Sequence, residues 1–327
     1  MAKEADVRVL ALNSSARAGT NSKTELLLDA LVDGMREAAA DVDVVRLKDY
    51  KIKDCQGCFA CWTQTPGVCI QKDDMTRELF GRWREADLAV YATPLFHHTV
   101  NAIMKRFIER TLPAIEPFME TDGRHWSHPL RGRLPDAVVL SVCGFPDQSA
   151  FEALSHYVRY TFASDDEERG WRLRAEIYRS AAETLGVRPE FKDQVLGAVR
   201  RAGTELIADG RVHSETMTEI TRPLPFEPDT LKEAANCFWR TCIDEGLTMK
   251  QFADRDLTPR PDSMASFLSF LIVGFNPRKA GDQKATVEFD FSGSVTGRAH
   301  FVVDGGAIQA RPGPAVAPDL TIHTPFE

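Results

Sequence analysis

The sequence has no long hydrophobic run, no excess of positive charge and no glycine-rich nucleotide fingerprint, and outside one short stretch it carries few cysteines. Its longest apolar stretch, FLSFLIVGF at 267–275, is about half of the roughly 20 residues needed to cross a bilayer, so no membrane span is expected. Lys and Arg total 40 against 48 Asp and Glu, a net charge of −8. Binding to phosphate backbones requires the opposite balance on at least one face. Nucleic acid is therefore not an expected partner, and short basic groups such as RGR at 131–133 read as solvated loop charges. The opening residues, MAKEADVRVLALN, lack the basic region, long apolar core and small-residue cleavage site of a secretory signal, which predicts a cytoplasmic protein. Of the seven cysteines only Cys143, Cys237 and Cys242 lie outside the segment 54–75, and a reducing cytoplasm disfavours a disulfide framework.

What is present is an alternation of two periodicities. VRVLALN (7–13), VDVVRL (42–47), DLAVYATP (87–94) and DAVVLSVCG (136–144) are short apolar runs of strand length. Between and after them, 21–40, 73–86, 98–112, 149–162 and 191–210 space their apolar residues as helices do; LRAEIYRSA at 173–181 reads as either a fifth strand or a helix. Strands alternating with helices over about two hundred residues imply an α/β fold, a doubly wound parallel sheet covered on both faces. Five strands suit the flavodoxin-like version. Residues 211–265 carry proline-rich breaks around one helix, and from Lys284 the chain alternates apolar and polar residues between glycine turns, which predicts an antiparallel meander. The expected organisation is thus a large domain over 1–210, a helical linker region over 211–265 and a smaller α+β module over 266–327.

The loop after the first strand, NSSARAGTNSKTELL, lies where a doubly wound sheet places its ligand crevice. It offers the hydroxyls of Ser14, Ser15, Thr20 and Ser22, the amide of Asn21, the guanidinium of Arg17 and a helix N-terminus, all suited to an anion such as phosphate. With Gly19 as its sole glycine and no Gly-Lys-Ser/Thr end, it fits neither a P-loop nor a dinucleotide fingerprint. The segment DCQGCFACWTQTPGVCIQKDDM places Cys55, Cys58, Cys61 and Cys69 in the loop after the second strand, at the same sheet edge. Structural zinc sites use two short pairs and a longer spacer, whereas Cys-x2-Cys-x2-Cys can wrap one iron-sulfur cubane. The seven-residue gap before Cys69 departs from the ferredoxin spacing. A cluster, a zinc site and a metal-free thiol loop all remain open on spacing alone.

The run Ser14, Ser15, Ala16, Arg17, then Asn21 and Ser22, resembles the phosphate loop Gly-Ser-x-Arg-x-x-x-Asn-Thr of the NADPH-dependent FMN reductase branch of flavodoxin-like proteins, with Ser14 in place of glycine. The segment TPLFHHTVNAIMKRFIER is similar to that family's third-strand loop. The resemblance implies bound FMN, its phosphate held by Ser14, Ser15, Arg17, Asn21 and Ser22 and its ring bordered by Pro94, Leu95, Phe96 and His97, with Asn101 at the next turn. Gly144 and Phe145, after the fourth strand, reach the same edge, and His97 and His98 add groups able to exchange protons near neutral pH. The cysteine segment resembles that of iron-sulfur flavoproteins, which implies Cys55, Cys58, Cys61 and Cys69 as ligands of a [4Fe-4S] cluster. A related group shares the ending Cys-x-x-x-Asp-Asp-Met, here CIQKDDM, and in that group a cluster does not follow from the pattern. From Phe275 to about Thr324, FNP, KAG, FDFSG and PDLTI resemble the first part of a sterol carrier protein 2-like domain; a structural add-on rather than lipid carriage is expected.

Taken together, the resemblances imply an FMN-dependent oxidoreductase with NAD(P)H as transient co-substrate and a quinone, flavin or other small acceptor, with the cluster, if formed, relaying single electrons. The alternative is a flavin and iron-sulfur electron carrier whose partner is a redox protein. The family resemblance also implies a homodimer or homotetramer.

Overall fold

The computed structural model describes residues 7–17, 19, 22–121, 126–162 and 172–326. Its elements, in chain order, are β1 (Arg8–Asn13), α1 (Lys23–Glu37), β2 (Asp41–Arg46), α2 (Phe80–Glu85), β3 (Leu88–Pro94), α3 (Ala102–Glu109), a small hairpin of β4 (Glu120–Thr121) and β5 (Trp126–Ser127), β6 (Asp136–Val142), α4 (Glu152–Phe162), β7 (Leu173–Arg179), α5 (Pro189–Asp209) and α6 (Ser214–Ile220). There follow α7 (Pro228–Asp244), α8 (Met249–Asp254), α9 (Met264–Gly274), α10 (Pro277–Ala280), β8 (Lys284–Gly293), β9 (Gly297–Asp304), β10 (Ala307–Pro312) and β11 (Leu320–Phe326). The chain divides into two compact units, one of 1–183 with 193–222, the other of 184–192 with 223–327.

The first unit is built on a five-stranded, all-parallel sheet in the order β2-β1-β3-β6-β7. This is the flavodoxin-like doubly wound arrangement, with its switch point between β1 and β3. The sequence explains the order of burial. β1, β3 and β6 are nearly continuous apolar runs buried on both faces, as central parallel strands must be, while β2 alternates buried and exposed residues. The ambiguous segment at 173–181 is a strand because its backbone pairs with β6, and Ile177, Tyr178 and Arg179 are buried there. Beneath the sheet, Trp83 is fully buried and donates its indole N–H to Tyr91 Oη at 2.8 Å, so the largest side chain of the core leaves no orphan donor. Helices α1 and α5 cross with backbones in contact: a Cβ on Gly203 would lie 2.1 Å from Leu31 O, and one on Gly34 1.8 Å from Arg200 O.

In the second unit, β8, β9 and β10 form the expected antiparallel meander, but β11 does not extend it. It lies parallel to β8, giving the order β10-β9-β8-β11. The connection from Pro312 to Leu320 crosses the sheet instead of turning back. Along its path Gly313 N–H donates to Arg298 O, Ala315 N–H to the buried Glu288 carboxylate, and Asp319 N–H to Thr286 O. The opposite face carries Phe289, Phe291 and Phe326, which meet Phe267 of α9 edge to face. No helix among the described residues is long and apolar enough to cross a membrane.

Candidate functional site

Three loops meet the carboxyl edge of the parallel sheet near the switch point. The first follows β1. Ser14 and Ser15 are buried, and so is Ser22, the N-cap of α1, whose hydroxyl accepts from Glu25 N–H. Ser22 Oγ donates to Ser15 Oγ at 2.9 Å, Ser15 N–H donates to Asn13 Oδ1, and Ser14 Oγ donates to Ala92 O. These bonds fold the loop over the helix N-terminus, whose free N–H groups and dipole favour an anion. Asn21 and Thr20 lie outside the described residues. Lys23, which the sequence reading does not single out, is the first residue of α1 and is largely buried, and Arg17 stands exposed beside it. Glu25 closes the loop from below: it accepts from Gly19 N–H at 2.7 Å and pairs with Arg46 of β2.

The second loop follows β3. The sequence predicts helix from residue 98, yet His97 and His98 both have positive φ, 48° and 60°, and the helix starts only at Ala102. Phe96 and Thr99 exchange backbone hydrogen bonds at 3.1 Å in both directions, so residues 96–99 form a two-residue hairpin turn with two histidines at its left-handed positions. Such positions normally take Asn or Gly, and two bulky residues there store strain. Asn101 then caps α3, accepting from Met104 N–H, while its amide donates to Ser14 O at 2.7 Å. Asn101 therefore ties the second loop to the first, a positioning role that its place in the sequence does not reveal.

The third loop, after β6, brings Gly144 and Phe145. A Cβ on Gly144 would meet nothing within 4 Å, so its backbone faces open space. Leu95, Phe96, His97, His98 and Phe145 line one open cavity of about 430 Å³. Phe96 and Phe145 are 57% and 60% exposed, large apolar faces that solvent alone does not favour. The His98 ring lies parallel to that of Phe145, with centroids 6.2 Å apart, and its Nδ1 is 3.1 Å from Ala150 O. Pro94 ends β3 just before this wall, and Leu95 N–H is taken by Val142 O. An anion cradle thus adjoins the strand whose end carries an aromatic cavity, the donor set of a phosphorylated planar heterocycle.

The cysteine loop runs from β2 to α2. Cys58 is exposed, Cys55 and Cys69 are partly buried and Cys61 is buried; burial pushes the Cys61 thiol up, and the neighbouring Cys69 adds to the effect. No group of three or more His, Cys, Asp or Glu side chains already placed to hold a metal ion occurs among the described residues. What organises the loop is Asp73. It is buried, accepts from Lys53 N–H and Thr76 N–H, and forms a bidentate pair with Arg110 at 2.5 and 3.1 Å. Arg110 also donates to Lys53 O, Thr76 Oγ1 and, at 3.5 Å, Cys69 Sγ. Asp74 accepts from Lys51 N–H at 2.7 Å. The two acids of CIQKDDM therefore tie the end of the loop to its beginning.

Comparison with known proteins covers this same region. Residues 7–144 match the family model for NADPH-dependent FMN reductase. An iron-sulfur flavoprotein of Archaeoglobus fulgidus is 33% identical over 135 residues, 41% of this chain and 59% of that protein. One from Methanosarcina thermophila is 26% identical over 106 residues, 32% of this chain and 53% of its own length. The chain thus spans little more than half the length of these curated relatives. A solved NAD(P)H:quinone oxidoreductase from Methanothermobacter marburgensis aligns with 62% of this chain and 98% of its own at 18% identity, with a TM-score of 0.47. Over residues 7–144, within its first unit, the chain is similar to the NADPH-dependent FMN reductase family.

Proposed function

We propose that the protein is an FMN-dependent NAD(P)H oxidoreductase that passes electrons to a quinone, a free flavin or another small acceptor. The observation that carries this reading is the placement of an anion cradle and an aromatic cavity along one edge of a flavodoxin-like sheet. The residues fit FMN by their chemistry. Ser15, Ser22, Arg17, Lys23 and the N-terminus of α1 would hold the phosphate, and Leu95, Phe96, His97, His98 and Phe145 would flank the ring. Bound FMN supplies the hydride-accepting chemistry. The chain's own residues would orient the ring, with Phe96 and Phe145 excluding water beside it. His98, held through Nδ1 by Ala150 O, presents its other ring nitrogen as a group that can give or take a proton.

The [4Fe-4S] assignment rests on the Cys-x2-Cys-x2-Cys spacing and on the name of the relatives, iron-sulfur flavoprotein. No step is assigned to it. We further propose a homodimer or homotetramer, as the family resemblance implies. The experiment is anaerobic purification followed by a visible spectrum, assays of flavin, iron and acid-labile sulfide, and NAD(P)H oxidation with a quinone or free FMN as acceptor. Stoichiometric FMN and steady turnover support the reductase. Four irons and four sulfides per chain would make Cys55, Cys58, Cys61 and Cys69 cluster ligands. A colourless protein that neither takes up FMN nor oxidises NAD(P)H would remove the reading.

A further inference from the structure

The two cations of the phosphate cradle share one partner. Arg17 Nη1 lies 3.5 Å from Glu183 Oε1 and Lys23 Nζ lies 3.7 Å from Glu183 Oε2, one cation on each carboxylate oxygen. Both contacts are longer than a hydrogen bond, and the Arg17 and Glu183 side chains are half exposed, so these are loose ion pairs in a wet setting. Lys23 is also misplaced by ordinary helix rules. A cation at the first position of α1 faces the positive end of the helix dipole, which disfavours it unless an anion is present. Glu183 reaches the cradle from the far edge of the sheet. After β7 the backbone turns sharply at Ala181, whose φ of 48° is left-handed, and the turn is fixed by Ala181 N–H to Phe145 O and Ser180 Oγ to Pro146 O. A short 3-10 helix, Ala182–Gly186, then carries the carboxylate over the loop. Its carboxylate thus engages the same two cations that the cradle would offer a phosphate.

We propose that Glu183 is an internal counter-ion of the cradle: it holds Arg17 and Lys23 together in the flavin-free protein and yields them to the phosphate of FMN. This rests on the flavin reading above and adds to it a residue that sets affinity for the phosphorylated cofactor over riboflavin. A carboxylate left beside a phosphate repels it, and a carboxylate that must release two cations competes with it, so both effects weaken FMN binding while Glu183 is charged. Removing the charge should tighten FMN and leave riboflavin, which has no phosphate, unchanged.

The test is fluorescence titration of the deflavinated full-length protein with FMN and with riboflavin, for the wild type, Glu183→Gln and Glu183→Ser. Two exposed ion pairs of this kind predict an FMN dissociation constant about fivefold lower in both variants at low ionic strength, converging on the wild type as salt rises. Riboflavin should bind all three proteins alike. If FMN binds the variants no more tightly than the wild type, while riboflavin is unchanged, Glu183 is not a competitor and the flavin site stands. A parallel shift for FMN and riboflavin would place the effect away from the phosphate and also overturn the proposal. Failure of the wild type to bind either compound would overturn the flavin reading and this inference with it.

Discussion

Asp73 shows what a single side chain contributes. Its burial alone would raise the carboxyl, but hydrogen bonds from Arg110, Lys53 N–H and Thr76 N–H, with the Arg110 charge, outweigh burial and pull it down to about 2. A carboxylate depressed in the folded state stabilises the fold above its unfolded value, near 4, and that contribution is lost as pH falls through the folded value. Asp73 should therefore add about 2 kcal/mol at neutral pH, disappearing between about pH 4 and pH 2. Asp73→Asn should lower the melting temperature at pH 7 and flatten that acid limb, as thermal melts across pH 2–7 would show; an unchanged acid limb would rule out the assignment. Arg110 left without its partner would make the loss at neutral pH larger than the linkage figure alone. The role of Asp73 was only half legible in the sequence. The Asp-Asp-Met ending marks the segment, but the partner that explains it lies 37 residues away in chain order. Ser14, Ser15, Arg17 and Ser22 were readable because one loop holds them together; Glu183 was not, because nothing local links it to residue 17.

At the scale of elements, the turn at His97 and His98 and the crossing of α1 with α5 both place shape above propensity. Helical spacing from residue 98 onward led to an expected helix there, but Asn101 caps α3 and the two histidines take left-handed positions that period alone cannot announce. Replacing them as His97→Asn with His98→Gly supplies the residues this turn prefers. The double variant should gain about 1 kcal/mol of stability in urea melts and lose NAD(P)H-dependent turnover, since the rings that border the cavity are removed. A less stable variant would show that the turn is not strained. For the crossing, Gly203→Ala puts a methyl group against the Leu31 carbonyl, and chemical denaturation should show a loss of at least about 1–3 kcal/mol. An alanine tolerated within 0.5 kcal/mol would mean the helices sit further apart. The small residues at 34 and 203 are visible in the sequence, but their pairing is tertiary.

The whole chain holds two units with separate apolar cores, one of them centred on Trp83, Tyr91 and Phe107, the other on Leu268, Phe291 and Phe326. The parallel sheet was legible because its strands alternate with helices; the parallel placement of β11 was not, because a strand's partner is chosen by the path of the preceding connection. FMN at a hundredfold excess over its dissociation constant should stabilise the folded chain by about 2.7 kcal/mol. Hydrogen exchange should find the added protection at 14–25, 95–101 and 143–147; protection confined to residues after Pro223 would contradict the site. The clamp made by Asp73 and Asp74 has a further consequence. It fixes the two ends of the cysteine segment to each other independently of what lies between them. Lengthening a closed excursion is cheap, about 0.6 kcal/mol for each doubling. The segment's length can therefore vary at small cost in closure entropy while its two ends, and the strands beneath, stay in place.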